Sequence, residues 1–192
     1  MELVVELSRL VLKDGPRRII GIPLHLNMAG SVKASPVLYL LGRFRRLYFE
    51  DPRFGEVAAV FCRDCVAENR GDAIVVDRRL VVEAYYNTVA QDVLALAPGI
   101  DSVVVPCYTG ALGEAVAKRV REVEPGIFII AVRLGGGDCS WADAAYEPPP
   151  PPSLPKALNL GGASVAALSV ALKASEERGL YSTLALLTDG KT

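Results

Sequence analysis

The chain has 192 residues, about half of them apolar, with 21 basic against 22 acidic side chains and a formal net charge of −1. That length fits a single domain, 1–192, with a core large enough to need neither disulfides nor metals. The charge balance gives no electrostatic basis for nucleic acid or an anionic membrane as partner, and the apolar runs fall short of a membrane span.

The opening stretch MELVVELSRLVLKDG is interrupted by Glu2, Glu6, Arg9 and Lys13. It lacks the basic start and unbroken apolar middle of a signal peptide, so a soluble cytoplasmic protein is the expectation. A first strand is expected over 19–28, with the chain turning at Gly30 and Ser31. Residues 35–48 place Val37, Leu38, Leu40, Leu41, Phe44 and Leu47 at helical spacing, and Ser35-Pro36 suits a helix start. Strands are expected over 56–61 and 72–76, with a turn or two of helix between them in CRDCVAENRG. A helix over 80–96 closes at Pro98-Gly99, a buried strand spans 102–106, and a helix follows over 111–123. The next strand, 127–132, runs into the glycine triplet 135–137.

Five consecutive prolines, 148–152, with Pro155 soon after, read as a stiff polyproline connector. Ser164 is then expected to cap a helix reaching Arg178 and closing at Gly179, before a last strand over 183–187. Strands alternating with helices predict an α/β protein, a mostly parallel open sheet with helices on both faces.

Three loops stand after three of these strands. GSVKASP sets Lys33 where a helix begins; partial desolvation there lowers an amine's pKa and makes it a competent nucleophile. PCYTGALGEA offers Thr109 and Gly110 at a helix start, a recipe for holding phosphate on backbone amides; a plain turn capped by Thr109 is the simpler reading. LGGASVAALSVALK offers two glycines and Ser164, for capping or for a ligand. All three would converge at the carboxyl ends of neighbouring strands, where open α/β sheets bind ligands.

Of the four cysteines, Cys62 and Cys65 have the spacing of a redox dithiol, a disulfide or half a zinc site, with ordinary thiols as the plain alternative. Zinc would need two more ligands from His25, Cys107 and Cys139, and no metal site is expected. With one histidine no Ser-His-Asp arrangement is available, and His25 reads as structural.

Together GSVK, the strand-TG-helix loop and GGASVAA resemble the fold-type II pyridoxal-phosphate enzymes, cysteine synthases foremost and threonine synthases next. The likeness runs over 19–190: YYNTVAQDV resembles the helix before the family's phosphate strand, and FIIAVRLGGG the strand after it. It implies a shortened fold of the tryptophan synthase β kind, with 34–80 as a reduced remnant of the smaller lobe. It also implies pyridoxal phosphate as cofactor, Lys33 as the Schiff-base lysine in the Gly30-Ser31-Val32-Lys33 element, and Thr109, Gly110 and Ala111 as the phosphate loop. Ser164 would face the pyridine nitrogen, and Gly161 matches the glycine before it.

Ala34 and Ser35 replace the family's usual Asp and Arg, and Tyr108 a glycine. The asparagine-containing loop that grips the substrate carboxylate has no counterpart, Phe61-Cys62-Arg63-Asp64-Cys65 standing in its place. The resemblance implies lyase or β-replacement chemistry on a small amino-acid-like ligand, and a homodimer. Two alternatives stand beside it: a non-catalytic relative serving as a ligand- or protein-binding scaffold, and a redox protein using Cys62 and Cys65.

Overall fold

The computed structural model describes residues 2–6, 9–25, 30–96, 98–152 and 160–190. The end of the expected first strand, 26–28, and Pro155 lie outside them. The chain opens with three antiparallel strands, β1 (Glu2–Glu6), β2 (Arg9–Asp14) and β3 (Arg17–Pro23). The hairpin joining β2 to β3 turns on Gly15-Pro16, with Gly15 at φ +60. Glycine supplies the positive φ and proline the fixed φ of a two-residue turn. The sequence reading expects no strand before 19, so β1 and β2 are additions to it.

Next come helix α1 (Ala34–Arg43), strand β4 (Leu47–Phe49), helix α2 (Pro52–Phe61), a 3-10 turn (Arg63–Cys65) and strand β5 (Ile74–Val76). β4 and β5 pair in parallel as a separate two-stranded sheet. The strand expected over 56–61 is instead the C-terminal half of α2. Its start signal lies upstream: Asp51 accepts the Arg53 amide at 3.1 Å and Pro52 fills the first helical turn. Phe54 and Ala58, four apart, form the buried face.

The helix expected over 80–96 is two, α3 (Arg78–Tyr86) and α4 (Val89–Leu96). Thr88 Oγ1 donates to the Ala84 carbonyl, the acceptor its own amide would use in a continuing helix, and that amide turns to the Tyr85 carbonyl at 3.3 Å instead. Then follow β6 (Ser102–Cys107), α5 (Ala111–Val123), β7 (Phe128–Arg133), the short β8 (Ala144–Tyr146), α6 (Gly162–Arg178) and β9 (Ser182–Leu187). α6 closes at Gly179 as expected, with φ +66.

The main sheet has seven strands in the order β1-β2-β3-β9-β6-β7-β8, antiparallel to β3 and parallel beyond it. Alternate residues of its strands feed two cores. On one face Ile20, Ile22, Val103, Val105, Leu184 and Leu186 pack with α3, α5 and the β4–β5 layer. On the other Ile19, Val104, Ala185 and Leu187 pack with α6. This period of two puts helices on both faces, and it explains why β6 and β9 are buried throughout. No described helix is long and apolar enough to cross a membrane.

Candidate functional site

The loops following β3, β4, β6 and β9 open onto one cavity of about 260 Å³ at the carboxyl ends of these strands. Lys33 lines it from the N-cap position of α1. Two contacts fix the loop that carries it: the Lys33 amide donates to Ser31 Oγ at 3.2 Å, and the Val32 amide donates to the Thr188 carbonyl at 3.2 Å. The Lys33 ammonium lies 5.9 Å from the Phe54 ring centroid. Burial, and then the Arg53 cation, hold the Lys33 amine below its ordinary value, with Asp51, Asp189 and Glu56 pulling weakly the other way.

A second wall is the loop from β6 into α5. Thr109 and Gly110 line the cavity, and Gly110, at φ +84, opens α5 without a side-chain cap. A helix start of this kind presents amide donors and the positive end of the helix dipole to an anion. Ala111, the first residue of α5, is buried and borders a neighbouring recess of about 270 Å³. The glycine triplet supports this wall from behind. A Cβ on Gly137 would fall 2.1 Å from the Tyr108 carbonyl oxygen, and one on Gly110 would fall 2.2 Å from the Asp138 carbonyl oxygen. The two loops meet so closely that only glycine fits at these positions.

The start of α6 differs from the expected arrangement. Ser164 is fully buried and absent from the cavity lining; neither is it the helix cap. Its hydroxyl lies 2.7 Å from both the Asp189 carboxylate and the Asp189 carbonyl, which share its one proton, and it accepts from the Asp189 amide at 3.1 Å. The Asp189 carboxylate caps α6 by accepting the Ala163 and Ser164 amides at 3.2 and 2.8 Å. A Cβ on Gly161 would meet that carboxylate at 2.4 Å, so Gly161 makes room for Asp189. What the cavity meets here is Ala163, Thr188 and Asp189.

A third wall is formed by Asp51, Arg53, Phe54 and Tyr85. Asp51 and Arg53 pair through Nε and Nη2 at 3.0 and 2.8 Å. Each shifts the other: the guanidinium holds the Asp51 carboxyl below its usual range, and the carboxylate holds Arg53 above its own. Phe54 meets Phe49 stacked at 6.4 Å and Tyr85 edge-on at 5.9 Å. The segment expected on this wall, Phe61–Cys65, lies instead at the far end of α2, roughly 15 Å along a helix of ten residues. Sequence reasoning missed this loop, although Asp51-Pro52 after a strand is a helix-start signal of the kind that singled out Lys33.

All four cysteines are oxidised: Cys62 is bonded to Cys65, and Cys107 to Cys139. The second bond was not expected from sequence. It anchors the residue immediately before Tyr108-Thr109-Gly110 to the loop behind it. Among the described residues no group of histidine, cysteine and carboxylate side chains has the arrangement of a metal site.

No protein-family model matches the sequence, and no curated protein matches it. Solved structures do. The fold is similar to that of an O-ureido-L-serine synthase, with a TM-score of 0.71 and 13% identity over 94% of this chain and 87% of that one. It is similar to a threonine deaminase from T.th., with a TM-score of 0.69 and 14% identity over 92% and 86%. It is also similar to the cysteine synthase of Entamoeba histolytica, with a TM-score of 0.68 and 15% identity over 93% and 80%. At such identities the likeness is one of fold, and the chain has the mixed, mostly parallel α/β sheet of these proteins.

Proposed function

We propose that the chain binds pyridoxal phosphate in the Lys33 cavity and acts on a small amino acid by lyase or β-replacement chemistry. One observation carries this reading: a partly desolvated lysine and an uncapped helix start with glycine at positive φ border the same cavity. The sequence resemblance to cysteine synthases and the fold shared with one of them point the same way.

The residues present fit the cofactor at two of its ends. Lys33 is placed to hold the aldehyde, and its lowered pKa leaves more neutral amine for the attack. Thr109 and Gly110, with the first amides of α5, are placed to hold the phosphate. When bound, the cofactor supplies an electron sink for charge developing at the substrate's α-carbon. Lys33 is the cavity's base for moving a proton at that carbon, and the buried rings of Phe54 and Tyr85 keep water from their part of the lining.

The test is optical. Purified protein incubated with pyridoxal phosphate becomes yellow, borohydride fixes the colour to the chain, and Lys33→Ala abolishes it. A protein that stays colourless in excess cofactor overturns the reading.

A second reading is favoured by Ser164. Its hydroxyl is committed to Asp189, leaving the expected partner of the ring nitrogen out of the cavity. A binding scaffold without turnover fits that fact. It predicts thermal stabilisation by amino acids with neither cofactor colour nor product.

A further inference from the structure

Tyr85 occupies an unusual position in the cavity wall. It lies on α3, is only 4% exposed, and packs edge-on against Phe54. Its hydroxyl has no hydrogen-bond partner among the described residues, yet no buried side-chain oxygen or nitrogen among them is orphaned. The two facts are reconciled if the phenol oxygen opens onto the cavity, which Tyr85 lines. A phenol sealed into protein without a partner would cost the full desolvation of its donor. Facing a cavity, it keeps that donor for whatever enters.

The surroundings define the guest. Burial, with Asp51 adding to it, pushes the phenol above its ordinary pKa, so Tyr85 remains a neutral donor at every working pH. Arg53, cationic at every working pH, lines the same cavity. The cavity's carboxylates are already engaged, Asp51 by Arg53 and Asp189 by the start of α6. A donor beside the Arg53 cation and satisfied carboxylates selects an anionic acceptor.

We propose that the Tyr85 hydroxyl donates a hydrogen bond to the α-carboxylate of an amino acid bound in the cavity, on the wall it shares with Arg53. This rests on the cofactor reading, in which the phosphate takes the α5 start and leaves the Tyr85 wall to the substrate. Tyr85 then stands where the sequence reading found no group to grip a carboxylate.

The experiment compares the parent protein with Tyr85→Phe, both loaded with pyridoxal phosphate. The affinity of each for the tightest-binding of the twenty protein amino acids is read by calorimetric titration. The phenylalanine keeps the contact with Phe54, and a thermal melt checks that the variant is folded. Tyr39→Phe, whose hydroxyl lies outside the cavity beside Arg43 and Glu83, serves as control. Losing a hydrogen bond to a charged acceptor should weaken amino-acid binding by about tenfold or more in Tyr85→Phe, with cofactor affinity unchanged and the control unaffected.

Equal amino-acid affinity in parent and Tyr85→Phe overturns the assignment. So does a loss of cofactor affinity alone, or a parent that takes cofactor but binds none of the twenty. A parent that never colours overturns the cofactor reading itself, a distinct outcome. Should Tyr85→Phe melt early, Tyr85→Met gives the same comparison, and an affinity equal to the parent's overturns the assignment.

Discussion

Gly113 has no side chain because Trp141 occupies the space: a Cβ there would fall 1.9 Å from the indole Cζ2. The indole closes over α5 with its Nε1 donating to the Asp138 carbonyl at 2.9 Å. Gly113→Ala must push the ring out, at about 1–3 kcal/mol for an overpacked contact. Trp141 is the only tryptophan in the sequence, so its fluorescence reports the event directly. The variant should show red-shifted emission and an earlier denaturation midpoint; unchanged emission contradicts the packing described. Lys33 makes a different kind of prediction. Its amine titrates below the ordinary value of 10.5, first through burial and then through Arg53. A base lowered on folding holds fewer protons folded than unfolded, so stability rises with pH between the lowered value and 10.5. Lys33→Met should therefore be more stable than the parent at neutral pH, with the gap closing as pH climbs towards 10.5. Urea midpoints measured across pH test this, and a gap that does not change with pH contradicts it. Lys33, Thr109 and Gly110 were legible because each sits at a strand end in a local pattern. Arg53 and Asp189 also follow strands, but no pattern around them pointed to a ligand, and Tyr85 lies near the end of helix α3 rather than at a strand end.

At the scale of elements, the two disulfides do different work. Cys107–Cys139 closes a separation of 32 residues and Cys62–Cys65 one of 3. By loop-closure entropy the first is worth about 3–4 kcal/mol and the second under about 2. The double variant Cys107→Ser with Cys139→Ser should lower the urea midpoint markedly, and Cys62→Ser with Cys65→Ser only slightly. Equal losses would mean that the long bond does not stabilise as its span implies. Access follows the same order: Cys107 and Cys139 are buried, while Cys62 and Cys65 are half-exposed just past the last turn of α2. Sequence showed the CxxC spacing but could not pair Cys107 with Cys139, since that depends on β6 and the loop after β7 lying side by side. α2 itself illustrates a second limit. Val57 and Val60 in a short apolar run read as a strand, while the decisive Asp51-Pro52 cap lies upstream of that run.

At the scale of the whole molecule, the α/β class, the parallel run and helices on both faces were legible, because strands β6, β7 and β9 are continuous apolar segments separated by helical ones. The order of strands was not, because nothing local in Val103–Val105 or Leu184–Leu187 says which lies beside β3. The antiparallel opening was also hidden, its hairpin signal being Gly15-Pro16 rather than the commoner Asn-Gly. The β9 position has a consequence for synthesis. Strand Ser182–Leu187 is the last of the described strands in chain order, yet it lies between β3 and β6. While a ribosome is still translating the residues ahead of it, β3 and β6 each display an unsatisfied edge and have no direct route to one another. A nascent chain thus holds β3 and β6 as open edges, exposed to chaperones and to self-association, until β9 slots between them.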